Sequence, residues 1–144
     1  MTSLYHQDFY AWLLQNIALL KQENWTQIDR MYLLEELEEM GANQQNALSS
    51  RLRIVLAHLL KWQYQVELRS RSWNATIYEQ RSQIEELLDR SPSLKHYLLE
   101  KIPKGYRQAV KLAAKETGLN EAIFPTECPY TLEQILGEEY YPEA

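Results

Sequence analysis

Between Leu48 and Val66 apolar side chains recur at Leu48, Leu52, Val55, Leu59, Trp62 and Val66, in steps that alternate four and three. That alternation holds one stripe of an α-helix against a partner helix. A second set, Met31, Leu33, Leu34, Leu37 and Met40, gives an apolar side just upstream. Gly41 lies between the two sets. Glycine costs only about 1 kcal/mol in a helix interior, and no proline intervenes. The expectation is therefore one continuous helix rather than two joined by a bend at Gly41–Gln45. An unbroken helix of about forty residues would be roughly 60 Å long, against a diameter nearer roughly 40 Å for a compact domain of this size. Such a helix would project toward a partner or a second copy.

The rest of the chain favours helix as well. Leu, Glu, Gln, Ala and Lys/Arg are abundant, valine is scarce, and there are four glycines and five prolines in 144 residues, a composition that favours helix over strand. No repeat, low-complexity tract or linker interrupts it, so residues 1–144 read as a single helical domain. Phe9, Trp12, Leu13, Ile17 and Leu20 define a first helix over about residues 7–22. Asn24 and Trp25 turn the chain, and Thr26 has the right side chain to cap the long helix, with Asp29 in its first turn. Ser72 is expected to cap a helix over about 73–89, with Trp73, Ile77, Ile84, Leu87 and Leu88 facing inward. Ser91-Pro92 closes it and opens the next, where Pro103 is expected to break or kink the helix. Gly118 provides a left-handed stop. After a loop with Pro125 and Pro129, Thr131 and Gln134 form a capping-box pattern for a short last helix over about 131–137.

Charge is split along the chain. Residues 1–50 carry a net of −5, residues 51–82 a net of +4 and residues 83–144 a net of −4. The overall acidity argues against a general nucleic-acid binder. The basic middle either pairs within the fold or leaves a small anion-binding face. A lone cysteine, Cys128, excludes a disulfide framework and a thiolate metal site. The start, MTSLYHQDFY, has no secretory pattern, and the longest apolar run, Phe9–Leu14, is far short of the roughly 20 residues of a membrane span. A soluble cytoplasmic protein is expected.

Four groups of residues could carry chemistry. Glu35, Glu36, Glu38 and Glu39 cluster, but dinuclear carboxylate bundles also need a Glu-x-x-His pair. Neither Glu35 nor Glu36 has a histidine three positions on, so this reads as a solvated acidic face and no metal or cofactor is expected. The second group is a heptad-spaced row, Gln44, Arg51, His58 and Gln65, which borders the apolar seam and should be half-buried. Half-buried cations need partners, which the acidic segment or Glu116 could supply. Alternatively His58, Arg51 and Arg71 could face a cleft and hold an anion. The third is Lys61, Arg69, Arg71 and Arg81 with Trp62, Tyr64 and Trp73. Basic groups among aromatics can hold single-stranded nucleic acid, but core packing explains the tryptophans more simply. The fourth is Cys128, between Glu127 and Pro129 with no histidine nearby in sequence, which reads as packed and inert.

Taken together, DFYAWL at 8–13, LLEELEEMG at 33–41, SRLRIVLAHLLKWQYQ at 50–65 and RSRSWNATI at 69–77 resemble the bacterial family known as domain of unknown function family 29. SPSL at 91–94, ETGL at 116–119 and FPTECPYTLEQIL at 124–136 extend the resemblance over nearly the whole chain. It implies an all-helical fold and carries no reaction, ligand or partner with it. The family pattern often reads HLLKWQYQP, with proline where this chain has Val66. His58, Lys61, Trp62, Arg71, Ser72 and Trp73 fall on motif positions, which marks a site or a structural junction there.

The sequence thus specifies an all-α bundle with one long central helix and a short C-terminal helix. The leading expectation is a non-enzymatic interaction module that self-associates or binds a protein partner, with Lys61, Trp62, Ser72 and Trp73 as candidate interface or junction residues. The alternative is an enzyme or ligand-binding protein using Glu36, Glu39, Arg51, His58, Arg71 and Arg81 around a bundle cavity.

Overall fold

The computed structural model describes residues 3–144, and among these the regular structure is helical, with no strand. Six α-helices follow one another: α1 (Leu4–Gln7), α2 (Phe9–Lys21), α3 (Arg30–Tyr64), α4 (Arg71–Arg90), α5 (Leu94–Thr117) and α6 (Leu132–Leu136). Short 3-10 turns lie at Val66–Leu68 and Glu121–Ile123. The fold class, the long central helix and the short C-terminal helix are as the sequence specifies. The helix α3 is continuous through Gly41. The chain divides into two compact units whose boundary falls inside α3: the first ends at Asn43 and the second is Gln44–Ala144.

In the first unit the buried side chains of α2 are Trp12 and Asn16. Polar and aromatic contacts hold it. The Trp12 indole N–H donates to Asp29 Oδ2 at 2.9 Å, and the Asp29 backbone N–H donates to Asn16 Oδ1 at 2.8 Å. Tyr5 stacks on Tyr32 with ring centroids 4.3 Å apart, and its hydroxyl donates to Glu36. That bond, with burial and the neighbouring glutamates, pushes the Tyr5 pKa up to about 12. The other side chains of α2 are exposed or half-buried, although its sequence FYAWLLQNIALLK is apolar on almost every side.

The helix expected over about residues 7–22 is α2; it starts at Phe9 because Asp8 is not helical (φ −152°) and its carboxylate accepts from the Ala11 N–H as the cap, and the short α1 precedes it. One expectation is corrected here. The cap of α3 is Asp29, not Thr26. Thr26 bonds Asn24, whereas Asp29 is already fixed by Trp12 and Asn16 and its Oδ1 accepts from the Tyr32 N–H at 3.4 Å. The turn between α2 and α3 puts Glu23 in the left-handed region (φ 57°). There the Asn24 N–H reaches back to Leu19 O and the Glu23 N–H to Leu20 O, the paired bonds of a Schellman stop.

The second unit has a closed apolar core. Leu48, Leu52, Val55, Leu56, Leu59 and Leu60 of α3 are buried against Ile77 and Ile84 of α4, Leu98, Tyr106, Ala109 and Ala113 of α5, and Ile135 of α6. Each fully buried aliphatic side chain contributes about 1.5–3 kcal/mol. Helices α3 and α5 approach closely at Gly105, where an added Cβ would lie 3.2 Å from Leu52 Cδ2. The later loop is pinned by Tyr106, whose hydroxyl donates to Pro125 O at 2.6 Å, and by Tyr130, which donates to Gln63 Oε1 at 2.8 Å.

Four further expectations meet the structure in this unit. The cap of α4 is Ser70 rather than Ser72: Ser70 Oγ accepts from the Trp73 N–H at 3.1 Å, and Ser72 is an exposed residue of the first turn. Pro103 does not break its helix; α5 runs through it, and Pro92 lies in the turn just ahead. Proline removes the bond to the carbonyl four residues back. Here Pro103 and Leu99 are both exposed, so water can satisfy that carbonyl while Leu98, Gly105 and Tyr106 keep the inner side packed. Gly118 ends α5 with φ 77°, and Thr131 with Gln134 makes the capping box on α6, both as read from sequence.

Candidate functional site

The junction marked by the sequence lies where α3 ends, the 3-10 turn follows and α4 begins. Lys61 is buried there, only 5% exposed. Its Nζ donates to Glu116 Oε2 at 2.5 Å and sits 4.6 Å from the centre of the Trp73 ring. One ammonium thereby ties α3 to α4 and α5. A buried ammonium needs such a carboxylate, because leaving it unpaired would be severe.

One turn earlier, His58 is half-buried and its Nδ1–H donates to Ile54 O at 2.9 Å. Burial lowers its pKa; the Ile54 bond opposes this, nearby Lys61 lowers it further and Glu116 raises it. The imidazole is thus held by its own helix.

The neighbouring Arg69 closes the end of α3. Its Nε donates to Trp62 O at 2.7 Å and its guanidinium lies 4.9 Å from the Trp62 ring centre. Trp62 in turn packs on Tyr141, ring centroids 4.9 Å apart. Trp62, Arg69, Ser70, Arg71, Asn74 and Tyr78 line an open groove of about 540 Å³.

The remaining sequence candidates are dispersed among other duties. Arg51 Nη1 donates to Gln80 Oε1 at 3.2 Å, joining α3 to α4. Arg81 is buried, and its Nε and Nη2 donate to the carbonyls of Ile135 and Gln134 at 2.8 and 2.9 Å. It therefore satisfies the free end of α6, where carbonyls lack helical partners, and burial lowers its pKa. Glu36 takes the Tyr5 hydroxyl and Glu39 is exposed, both in the first unit. Among the described residues no hydrogen bond or ion pair joins any two of Glu36, Glu39, Arg51, His58, Arg71 and Arg81. Cys128 is half-buried, its Sγ donates to Tyr130 O at 3.5 Å, and burial pushes its thiol pKa up. Among the described residues no three His, Cys, Asp or Glu side chains come together as a metal ion would require.

The sequence offered Glu116 as a partner for the row that holds Arg51 and His58; the structure gives it to Lys61 instead, one turn further along α3. Tyr141 was not legible in advance, because it lies beyond the last helix, where no periodicity marks an inward face.

The fold and this junction define an all-α protein with a basic, aromatic knot at the end of its central helix. Its family is identified directly: the family described as Domain of unknown function DUF29 matches residues 4–141, and the chain belongs to it. No curated protein and no solved structure matches the chain. Among the described residues no helix is long and apolar enough to cross a membrane.

Proposed function

We propose that the protein is a non-enzymatic helical interaction module of the cytoplasm, and that its first unit docks onto a partner protein. One observation carries this reading: most of the large apolar side chains of that unit are open to solvent. Met31 is 70% exposed, Tyr10 67%, Trp25 62% and Met40 61%, with Leu14, Leu34 and Leu37 also exposed. A helix apolar on almost every side, as α2 is, is ordinarily buried. Contiguous exposed apolar surface on a soluble chain marks an interaction site.

Charge supports the choice of partner. The exposed residues Met31, Leu34, Leu37 and Met40, three apart and so winding roughly half-way round α3, lie among Glu35, Glu36, Glu38 and Glu39, with Arg30 as the basic residue beside them. A second copy of the same surface would set glutamate against glutamate, which is unfavourable. A partner segment that is helical, apolar on one face and basic at its margins fits instead.

The test is recovery of a complex from native lysate by wild type and by the double variant Leu34→Ser/Leu37→Ser, with the recovered partner sequenced. The expected result is a partner with a basic amphipathic helix, bound by wild type and lost by a still-helical variant. A chain that stays monomeric and recovers nothing, or a complex untouched by the double substitution, overturns the reading. A dimer lost on substitution would replace the partner with a second copy.

A further inference from the structure

A second groove lies in the Gln44–Ala144 unit, between α3 and α5, with a volume of about 340 Å³. Ser49, Ser50 and Arg53 line it from α3, and Tyr97, Lys101 and Lys104 from α5. Each set follows helical spacing of three and four, which puts its members on one side of its helix. Leu52 and Gly105 close the bottom, where the two helices come nearest.

Two properties suit this groove to an anion. First, it gathers three cations and no carboxylate in a chain whose net charge is −5. Second, none of the three cations is spent within the fold. Among the described residues the ion pairs are Lys61–Glu116 and His96–Glu100, and neither involves Arg53, Lys101 or Lys104. Lys101 rests 5.3 Å from the Tyr97 ring centre, and the Tyr97 hydroxyl meets Ser49 Oγ at 3.3 Å. These contacts orient the wall without neutralising it. By contrast Lys61 and Arg81, the buried cations of the same unit, both have acceptors.

We infer that this groove binds a small phosphorylated molecule, with the phosphate held by Arg53, Lys101 and Lys104 and flanked by the hydroxyls of Ser49 and Ser50. A guanidinium forks onto two phosphate oxygens while lysines act as point charges. The volume falls within the usual range of small-ligand sites, about 300–1,000 Å³. Tyr97 offers a ring face and edge to the organic part. Convergent unneutralised cations repel one another, and a bound phosphate removes that repulsion. The inference is independent of the docking role of the first unit, which lies before Asn43.

The experiment is isothermal titration of the full chain with inorganic pyrophosphate, AMP and glucose 6-phosphate. The variants are Arg53→Gln, Lys101→Gln and, as a control cation outside this groove, Lys111→Gln. The expected result is saturable 1:1 binding of at least one probe. Arg53→Gln and Lys101→Gln should each weaken it by at least about tenfold, as expected for a lost charge-assisted hydrogen bond, and Lys111→Gln should leave it unchanged. Thermal melts of each variant exclude misfolding, and Arg53→Lys should recover part of the affinity. No saturable binding up to millimolar probe, or equal weakening by Lys111→Gln, overturns the inference. Preference among the three probes identifies the organic part.

Discussion

The two halves of α3 both carry recurring apolar side chains, spaced three apart from Met31 to Met40 and alternately four and three from Leu48, and they meet opposite fates. From Leu48 to Leu60 the stripe is buried, and several of its residues have no measurable exposure. From Met31 to Met40 it faces solvent. The difference lies in what the chain sends back. Helices α4, α5 and α6 return apolar faces to the second half, whereas the first unit is fastened by Asp29, Asn16 and a Tyr5–Tyr32 stack. A closed core and an open stripe on one helix are what an interaction module needs: a rigid base, and a surface whose burial is left for a partner.

The largest expected effect tests how the first unit is held. Trp12→Ala removes its one large buried side chain along with the bond to Asp29, and should cost that unit about 3 kcal/mol or more. Hydrogen exchange should then show α2 unprotected while Leu52–Leu60 is unchanged. Loss of protection in both would mean that the two units are one cooperative body.

Next in size is the ion pair of the second unit. Glu116→Gln leaves the Lys61 ammonium buried without its carboxylate and should cost about 2 kcal/mol, short of a fully buried pair because Glu116 is 38% exposed. Lys61→Met keeps the contact with Trp73 and leaves a glutamate that water can reach, so it should cost less than about 1 kcal/mol. Urea denaturation of the two variants measures the asymmetry. Equal costs would show that the pair itself, not the buried charge, is what matters.

The acidic side of the stability profile should depend on His58. Its folded pKa lies below its unfolded value near 6.5 because burial disfavours the charged ring. The unfolded chain therefore binds the proton first as pH falls. The contribution is present above about pH 6.5 and is lost from there downward. His58→Gln should flatten the fall in melting temperature between pH 7.5 and 5.5; an unchanged slope would assign it to other groups.

The smallest effect is the most telling. Leu34→Ser/Leu37→Ser should change the stability of the isolated chain by no more than about 0.5 kcal/mol per site, as for exposed positions. A loss of several kcal/mol in the free protein would mean that the stripe is already covered.

How much of this was legible beforehand follows from the same physics. Continuity through Gly41 could be read because a single glycine is a small local cost against the helix formers around it. Pro103 misled because the cost of proline depends on which side of the helix it occupies, and sequence does not label the side. The upstream set was read only as an apolar side of the helix, since recurring apolar residues show that a face wants a partner and not whether this chain supplies it. Asp29 was read as a charge in the first turn and not as the cap, because its fixing by Trp12 and Asn16, residues distant in sequence, leaves no local signal. Of the six candidate cluster residues, Arg51 and His58 were recognisably in need of a partner, and Glu36 and Glu39 were read as a solvated face. Glu36, Arg51, His58 and Arg81 found Tyr5, Gln80, the Ile54 carbonyl and the carbonyls of α6 separately, whereas the search was for a shared cavity. The groove of Arg53, Lys101 and Lys104 gave no local signal because α5 brings two of its cations from some fifty residues away.

The most direct test is hydrogen–deuterium exchange along α3 in dilute, partner-free protein. Backbone amides of Arg30–Gly41 should exchange orders of magnitude faster than those of Leu52–Leu60, since one half is held by a few exposed bonds and the other by the core. Equal slow exchange in both halves would contradict the account, because it would mean that the first half is already closed without a partner.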